Sequence, residues 1–201
     1  MRMDRIARPM VRLSLFATLI AFIAGCGINT IPTYDEAVKA AWGQVQNQYQ
    51  RRADLVPNLV ATVQGYAAHE KETLQAVIEA RSKVSQMNVS PEILSDPAAF
   101  KTFEQNQAQL TSALSRLMVV VEQYPDLKAN QNFLQLQSQL EGTENRISVA
   151  RRDYIAAVQR YNTELRTFPG RIWHGIMYRD MKVRESFEAN EGAATAPTVK
   201  F

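Results

Sequence analysis

One thiol and two imidazoles, Cys26, His69 and His174, are the chain's whole supply of soft nucleophiles and transition-metal ligands. A helical zinc-hydrolase site needs two histidines four positions apart, with a glutamate beside the first to act as base. His69-Glu70 begins such a motif, but position 73 is Thr73. The pair therefore reads as surface polar groups of a helix. Phosphate-cradling loops need clustered glycines, and Gly65, Gly142 and Gly170 stand apart. No Gly-x-Ser-x-Gly elbow is present to expose a serine nucleophile. Carboxylates are plentiful, and spacing singles out no acid–base pair. The expectation is a chain with no catalytic, metal or cofactor residue. The one concentration of binding-type side chains is Glu141, Gly142, Asn145, Arg146, Arg151, Arg152 and Asp153, late in the sequence. It reads either as a partner-binding face or as the salt-bridged flank of a packed helix. A glycine inside a helix costs about 1 kcal/mol relative to alanine, so Gly142 is expected to permit a close contact.

Cys26 is more informative. Arg2, Arg5, Arg8 and Arg12 precede an apolar run, Leu13 to Ile23, and Ala24-Gly25 are small residues directly before the cysteine. A basic start, a short apolar middle and small residues before the cut make a secretory signal. A cysteine placed next resembles the lipobox of bacterial lipoproteins, in which the thiol is acylated and becomes the first residue of the mature chain. Cys26 is then the lipid attachment site, carrying an acyl group of the palmitate type. The alternative is an uncleaved signal anchor, because Val11 to Ile28 has roughly the length a membrane-spanning helix needs. Either reading leaves the remainder outside the cytoplasm, on the periplasmic side of the cell envelope, because the basic residues precede the apolar run. With no second cysteine, an intrachain disulfide is excluded.

Removing residues 1–25 takes away four arginines and one aspartate. Of 23 basic and 20 acidic side chains, 19 of each remain, and the net charge of +3 falls to zero. The basic character therefore belongs to the leader and is no sign of a nucleic-acid partner. About 176 residues remain, enough for one domain with a true core.

That remainder is poor in glycine and proline and rich in helix formers. Residues 26–32 read as a tether. Thr33-Tyr34-Asp35-Glu36 has the form of a capping box. Apolar residues then recur three or four apart at Tyr34, Val38, Ala41, Val45 and Tyr49. Pro57 predicts a kink or break near residues 53–57, after which Leu59, Val63, Tyr66, Leu74, Val77 and Val84 resume the pattern. The alternating charges Glu70, Lys71, Glu72, Glu79, Arg81 and Lys83 read as a solvated face.

Residues 86–97 read as a connector, with Ser90-Pro91 and Asp96-Pro97 as cap–proline pairs. Phe100, Phe103, Leu110, Leu114, Leu117, Val121 and Tyr124 form the next seam, with Gln107 as its polar member. Asn130 caps the last helix. There Phe133, Leu140, Ile147, Tyr154, Tyr161 and Phe168 recur every seven residues, and Leu136, Thr143, Ala150 and Ala157 fill the alternate slot. At 1.5 Å per residue it spans roughly 55 Å. The fold class is all-α: an up-and-down antiparallel bundle of three to four long helices over residues 33–168. Residues 169–201 form a tail, partly extended or disordered, that opens with an apolar cluster at Ile172, Trp173, Ile176, Met177 and Tyr178.

Several strings carry a family resemblance. They are Arg51-Arg52-Ala53-Asp54-Leu55-Val56-Pro57-Asn58-Leu59-Val60, Gly65-Tyr66-Ala67-Ala68-His69-Glu70-Lys71-Glu72, Tyr124-Pro125-Asp126-Leu127-Lys128-Ala129-Asn130 and Leu140-Glu141-Gly142-Thr143-Glu144-Asn145-Arg146-Ile147. With Ala150-Arg151-Arg152-Asp153-Tyr154, Thr167-Phe168-Pro169 and the closing Ala196-Pro197-Thr198-Val199-Lys200-Phe201, they resemble the LemA family of bacterial envelope proteins over about residues 33–201. The resemblance implies a helical bundle outside the membrane, held by an N-terminal segment. Members generally carry an apolar N-terminal helix, from which Cys26 departs. The family has no established enzymatic activity, so no catalytic residues carry over. Members often occur beside membrane proteases or other envelope proteins. The implied function is a non-catalytic, membrane-anchored interaction or scaffold module, with the bilayer and envelope or membrane-protease proteins as partners. The alternative is a self-associating, membrane-organising or stress-response protein, motivated by the heptad seams and the patch around Trp173. An enzyme acting on cell wall or lipid is a reading with no motif behind it.

Overall fold

A computed structural model describes residues 27–87 and 89–188. Cys26 and the leader lie outside the described residues, as do positions 189–201. The elements are α1 (Thr30–Gln64), α2 (Lys71–Gln86), a 3-10 turn (Pro91–Ser95), α3 (Pro97–Val121), α4 (Pro125–Lys128), α5 (Gln131–Arg166) and α6 (Gly170–Ile176). A turn at residues 177–180 and then residues 181–188, without helix or strand, follow α6. α1 lies along α5, α2 pairs with α3, and α2 also packs on α1. Tyr124 at the end of α3 donates to Glu70 at the start of α2, and Lys83 near the end of α2 reaches Gln109 in mid-α3. Asn130, before α5, donates to Tyr66, just past α1. The four principal helices therefore run up, down, up and down, as expected.

The α1 seam is a strict alternation of four and three: Val38, Trp42, Val45, Tyr49, Arg52, Val56, Leu59 and Val63 are all buried. That spacing presents one stripe to the bundle. The core has two halves. At the end holding the start of α1, Trp42 packs against Phe103 at 5.1 Å and Tyr154 at 5.3 Å, with Phe100 and Phe187 beside them. These are the tilted and edge-on arrangements that aromatic quadrupoles favour. Toward the other end the filling is aliphatic: Val56, Leu59, Leu74, Val77, Leu114, Leu117 and Leu140.

Two caps behave as expected. Asp96 accepts from the amides of Ala98 and Ala99, and Asn130 from that of Phe133. Others differ. α1 starts at Thr30, and the Thr33 hydroxyl donates back to the Asn29 carbonyl, so no capping box forms. Ser90 makes no side-chain cap. On α5 the seven-residue column is buried through Tyr161, but Phe168 is 75 % exposed, and Val158 and Leu165 take over inside. A straight helix drifts by roughly 20° per heptad, which rotates the stripe.

Pro57 does not divide the helix. α1 continues through it to Gln64, and the chain turns at residues 65–70 instead. A helical proline leaves the carbonyl four residues earlier without its donor, here that of Ala53. Arg81 of α2 supplies one, its Nε lying 2.9 Å from the Ala53 oxygen. Arg81 is thus a structural side chain and not part of a solvated face. The Arg81→Ala variant should lose about 1–3 kcal/mol of stability through the orphaned carbonyl. In a Pro57→Ala background the helix regains its own amide donor, and the same substitution should then cost much less. Urea titration of the four combinations measures this coupling.

Candidate functional site

The described residues bury few ionisable side chains, and these define two centres. The first is Arg52, 1 % exposed, in a slot of the α1 seam where the heptad calls for an apolar residue. Burying a guanidinium is costly unless its donors are met. Its Nη1 donates to Thr111 Oγ1 at 2.9 Å and Glu144 Oε1 at 2.8 Å, and its Nη2 to Gln107 Oε1 at 2.6 Å. The Tyr49 ring lies 5.1 Å away. Gln107, the polar member of the α3 seam, is therefore the acceptor that makes Arg52 tolerable. Arg52 was not singled out from the sequence, because placing a break at Pro57 hid the continuous stripe. Gln107 was the signal that a buried donor faces it.

Above Arg52 opens a cleft of about 340 Å³. Glu104, Gln107 and Thr111 of α3 form one wall and Glu144, Ser148 and Arg151 of α5 the other. Phe187 closes one end, with Arg151 stacked on its ring at 4.2 Å. Burial pushes the Glu104 carboxyl above its ordinary value, against the pull of Arg151. Two of its hydroxyls are spent on their own helices, Thr111 donating to the Gln107 carbonyl and Ser148 to that of Glu144. Neither histidine is near. His69 lies exposed in the α1–α2 turn rather than in a helix, and His174 on α6 contacts the Met181 carbonyl at 2.9 Å. Among the described residues no group of three His, Cys, Asp or Glu is placed to hold a metal. The cleft offers charge complementarity without an activated nucleophile.

The second centre ties down the C-terminal segment. Arg184 donates through Nη2 to Asp35 Oδ1 at 2.6 Å and through Nη1 to Ser95. Lys39 pairs with the other oxygen at 2.9 Å. The hydroxyls of Tyr154 and Tyr161 donate to the Glu185 and Lys182 carbonyls. Asn162 exchanges two hydrogen bonds with the Arg184 backbone. Phe187 is buried at the end of this segment. Burial raises the Asp35 carboxyl, but hydrogen bonds and charge from Lys39 and Arg184 outweigh it and hold the group below its ordinary value.

The seven α5 residues read as a possible partner face do not all line one groove. Arg151 turns into the Arg52 cleft. Asn145, Arg146 and Asp153 line a shallow groove on another side, of about 330 Å³, with Gln44, Gln48, Val149 and Ala150. Glu141 and Arg152 are exposed and line neither. A Cβ on Gly142 would meet nothing within 4 Å, so this glycine permits no close approach, contrary to the expectation.

Arg52→Ala should cost about 3–5 kcal/mol, because it orphans Gln107 and leaves a void. Glu144→Gln should cost under about 1 kcal/mol, because Glu144 is 39 % exposed. Chemical denaturation separates the two. Asp35, with its folded-state value depressed, stabilises the protein above the ordinary carboxylate range. That contribution should fade as pH falls below about 4. A pH series of thermal melts should show it, and Asp35→Asn should remove this part of the acid sensitivity.

The chain is similar in sequence to known proteins. The chain is 26 % identical over 200 residues to magnetosome protein MamQ 2 of Paramagnetospirillum magneticum, covering 90 % of this chain and 72 % of that protein. It is 27 % identical over 186 residues to magnetosome protein MamQ of Magnetospirillum gryphiswaldense, covering 82 % and 68 %. With protein LemA of Metamycoplasma hominis it shares 28 % over 140 residues, covering 70 % and 60 %. The LemA family model matches residues 41–201, taking in α5 and most of α1, and the chain belongs to the LemA family.

Proposed function

We propose that this protein is a non-catalytic, membrane-anchored scaffold or interaction module of the bacterial cell envelope, with its bundle on the periplasmic side and Cys26 as its lipid attachment site. The observation that carries the reading is how the polar groups are used. Both Nη groups of Arg52, the Asp35 carboxylate and the Arg184 guanidinium bond to the bundle itself, and Arg52 Nε alone is left without a partner. The groove along α1 and α5, in contrast, keeps polar groups open beside apolar surface. There Val149 is exposed next to the exposed Asn145, Arg146 and Asp153. Apolar surface rimmed by polar groups is the common form of a protein-binding patch. Membrane association is supported by the leader sequence and by the family. The relatives named as magnetosome proteins make a membrane-organising role the second reading.

Intact mass of the protein purified from membranes tests the anchor. A mature form beginning at Cys26 with added acyl mass, lost in Cys26→Ser, is the expected result; a mass beginning near Met1 overturns lipidation. A photo-crosslinking residue at Val149 tests the module. It should capture one reproducible envelope protein in cells, whereas a control at exposed Ile78 on α2 should not. Equal labelling at both positions would remove the groove from the proposal.

A further inference from the structure

The first described residue, Gly27, directly follows Cys26 and lies against the corner where α5 passes into α6. A Cβ on it would lie 3.3 Å from Pro169 Cγ and 4.0 Å from Trp173 Nε1. The N-terminal segment therefore joins the described bundle at this corner.

The same corner carries the densest group of uncovered apolar side chains. Phe168 is 75 % exposed, Ile172 48 %, Ile176 66 % and Met177 52 %. Ile172 and Ile176 are one turn apart on α6, with Phe168 just before the helix and Met177 just after it. Arg166, Arg171 and Arg179 are exposed close to them in sequence, against Asp180 and the half-buried Glu164, while Lys182 lines a pocket with Glu92, Asp96 and Asp180. An apolar cluster flanked by an excess of arginine matches the chemistry of a bilayer interface with anionic headgroups.

We propose that Phe168, Ile172, Ile176 and Met177, with Arg171 and Arg179, form a lipid-facing patch that seats the base of the bundle on an anionic membrane. The inference rests on the membrane-anchored reading and adds an orientation to it. α1 begins and α5 ends at this corner, so both lead away from the membrane and carry the α1–α2 turn to the far end. Where the N-terminal segment holds the chain, the patch is already at the interface. Its immersion then costs little further translational or rotational freedom.

The test uses the full-length protein reconstituted into phosphatidylcholine–phosphatidylglycerol vesicles. Trp173→Phe leaves only the buried Trp42 as background emission. Ile176→Trp then reports the patch and Ile78→Trp on α2 serves as the distant control. With phosphatidylcholine brominated near the top of its acyl chains, the Ile176→Trp protein should lose emission severalfold more than the control. Adding Ile172→Glu and Met177→Glu should abolish that difference while the protein still floats with the vesicles. Co-flotation with equal quenching at the two positions overturns the patch but leaves the anchor standing. A photo-crosslinking residue placed at Ile176 that captures a second copy, with no lipid quenching of the Ile176→Trp protein, likewise overturns it, in favour of self-association. Failure to co-float overturns the anchored reading and the patch together.

Discussion

Arg52 sets the terms for the rest of the bundle. A guanidinium cannot be withdrawn from water without acceptors, so α3 and α5 must present Gln107, Thr111 and Glu144 at one height along α1. Apolar seams alone tolerate a shift of one heptad, because one leucine replaces another. An arginine with three defined acceptors does not. It stands where the aromatic filling around Trp42 gives way to the aliphatic filling beyond Val56. Each helix therefore has one register that satisfies the polar centre and also brings the large rings together around Trp42.

The C-terminal segment completes the other end. Residues 177–188 form no helix or strand, yet Phe187 fills the aromatic half and Arg184 bridges Asp35 of α1 to Ser95 before α3. Carbonyls of an extended chain must find donors when buried. Tyr154, Tyr161 and Asn162 provide them from α5. Three parts of the sequence far apart are thus tied beside the point where the chain enters from its N-terminal segment. The opposite end is closed only by turns and the short α4.

Much of this was legible beforehand. The apolar spacing on α3 and α5 marked their buried faces, because a 3.6-residue period leaves few alternatives once the stripe is long. Asp96 and Asn130 were readable as caps, because a short acceptor placed before a helix has one local use. Of the kink or break expected at Pro57, the break does not occur. A proline removes one donor locally, and whether that ends a helix depends on what approaches from elsewhere, here Arg81. Gly142 was misread for a related reason: composition shows a missing side chain but not whether anything stands in its place.

The sequence by itself determined the all-α class, the helix directions, the absence of a recognisable catalytic motif and membership of the LemA family. Each of these depends on local periodicity or on contiguous strings of residues. Only the tertiary structure decided that Arg52 is internal, that Arg81 repairs the helix at Pro57 and that Phe187 belongs to the core. It also separated Arg151 from Asn145, Arg146 and Asp153, onto two different faces of the bundle. The physical reason is common to all of them. Whether a charge, a carbonyl or a ring is satisfied depends on partners tens of residues away, and those partners become neighbours only after the four helices have packed.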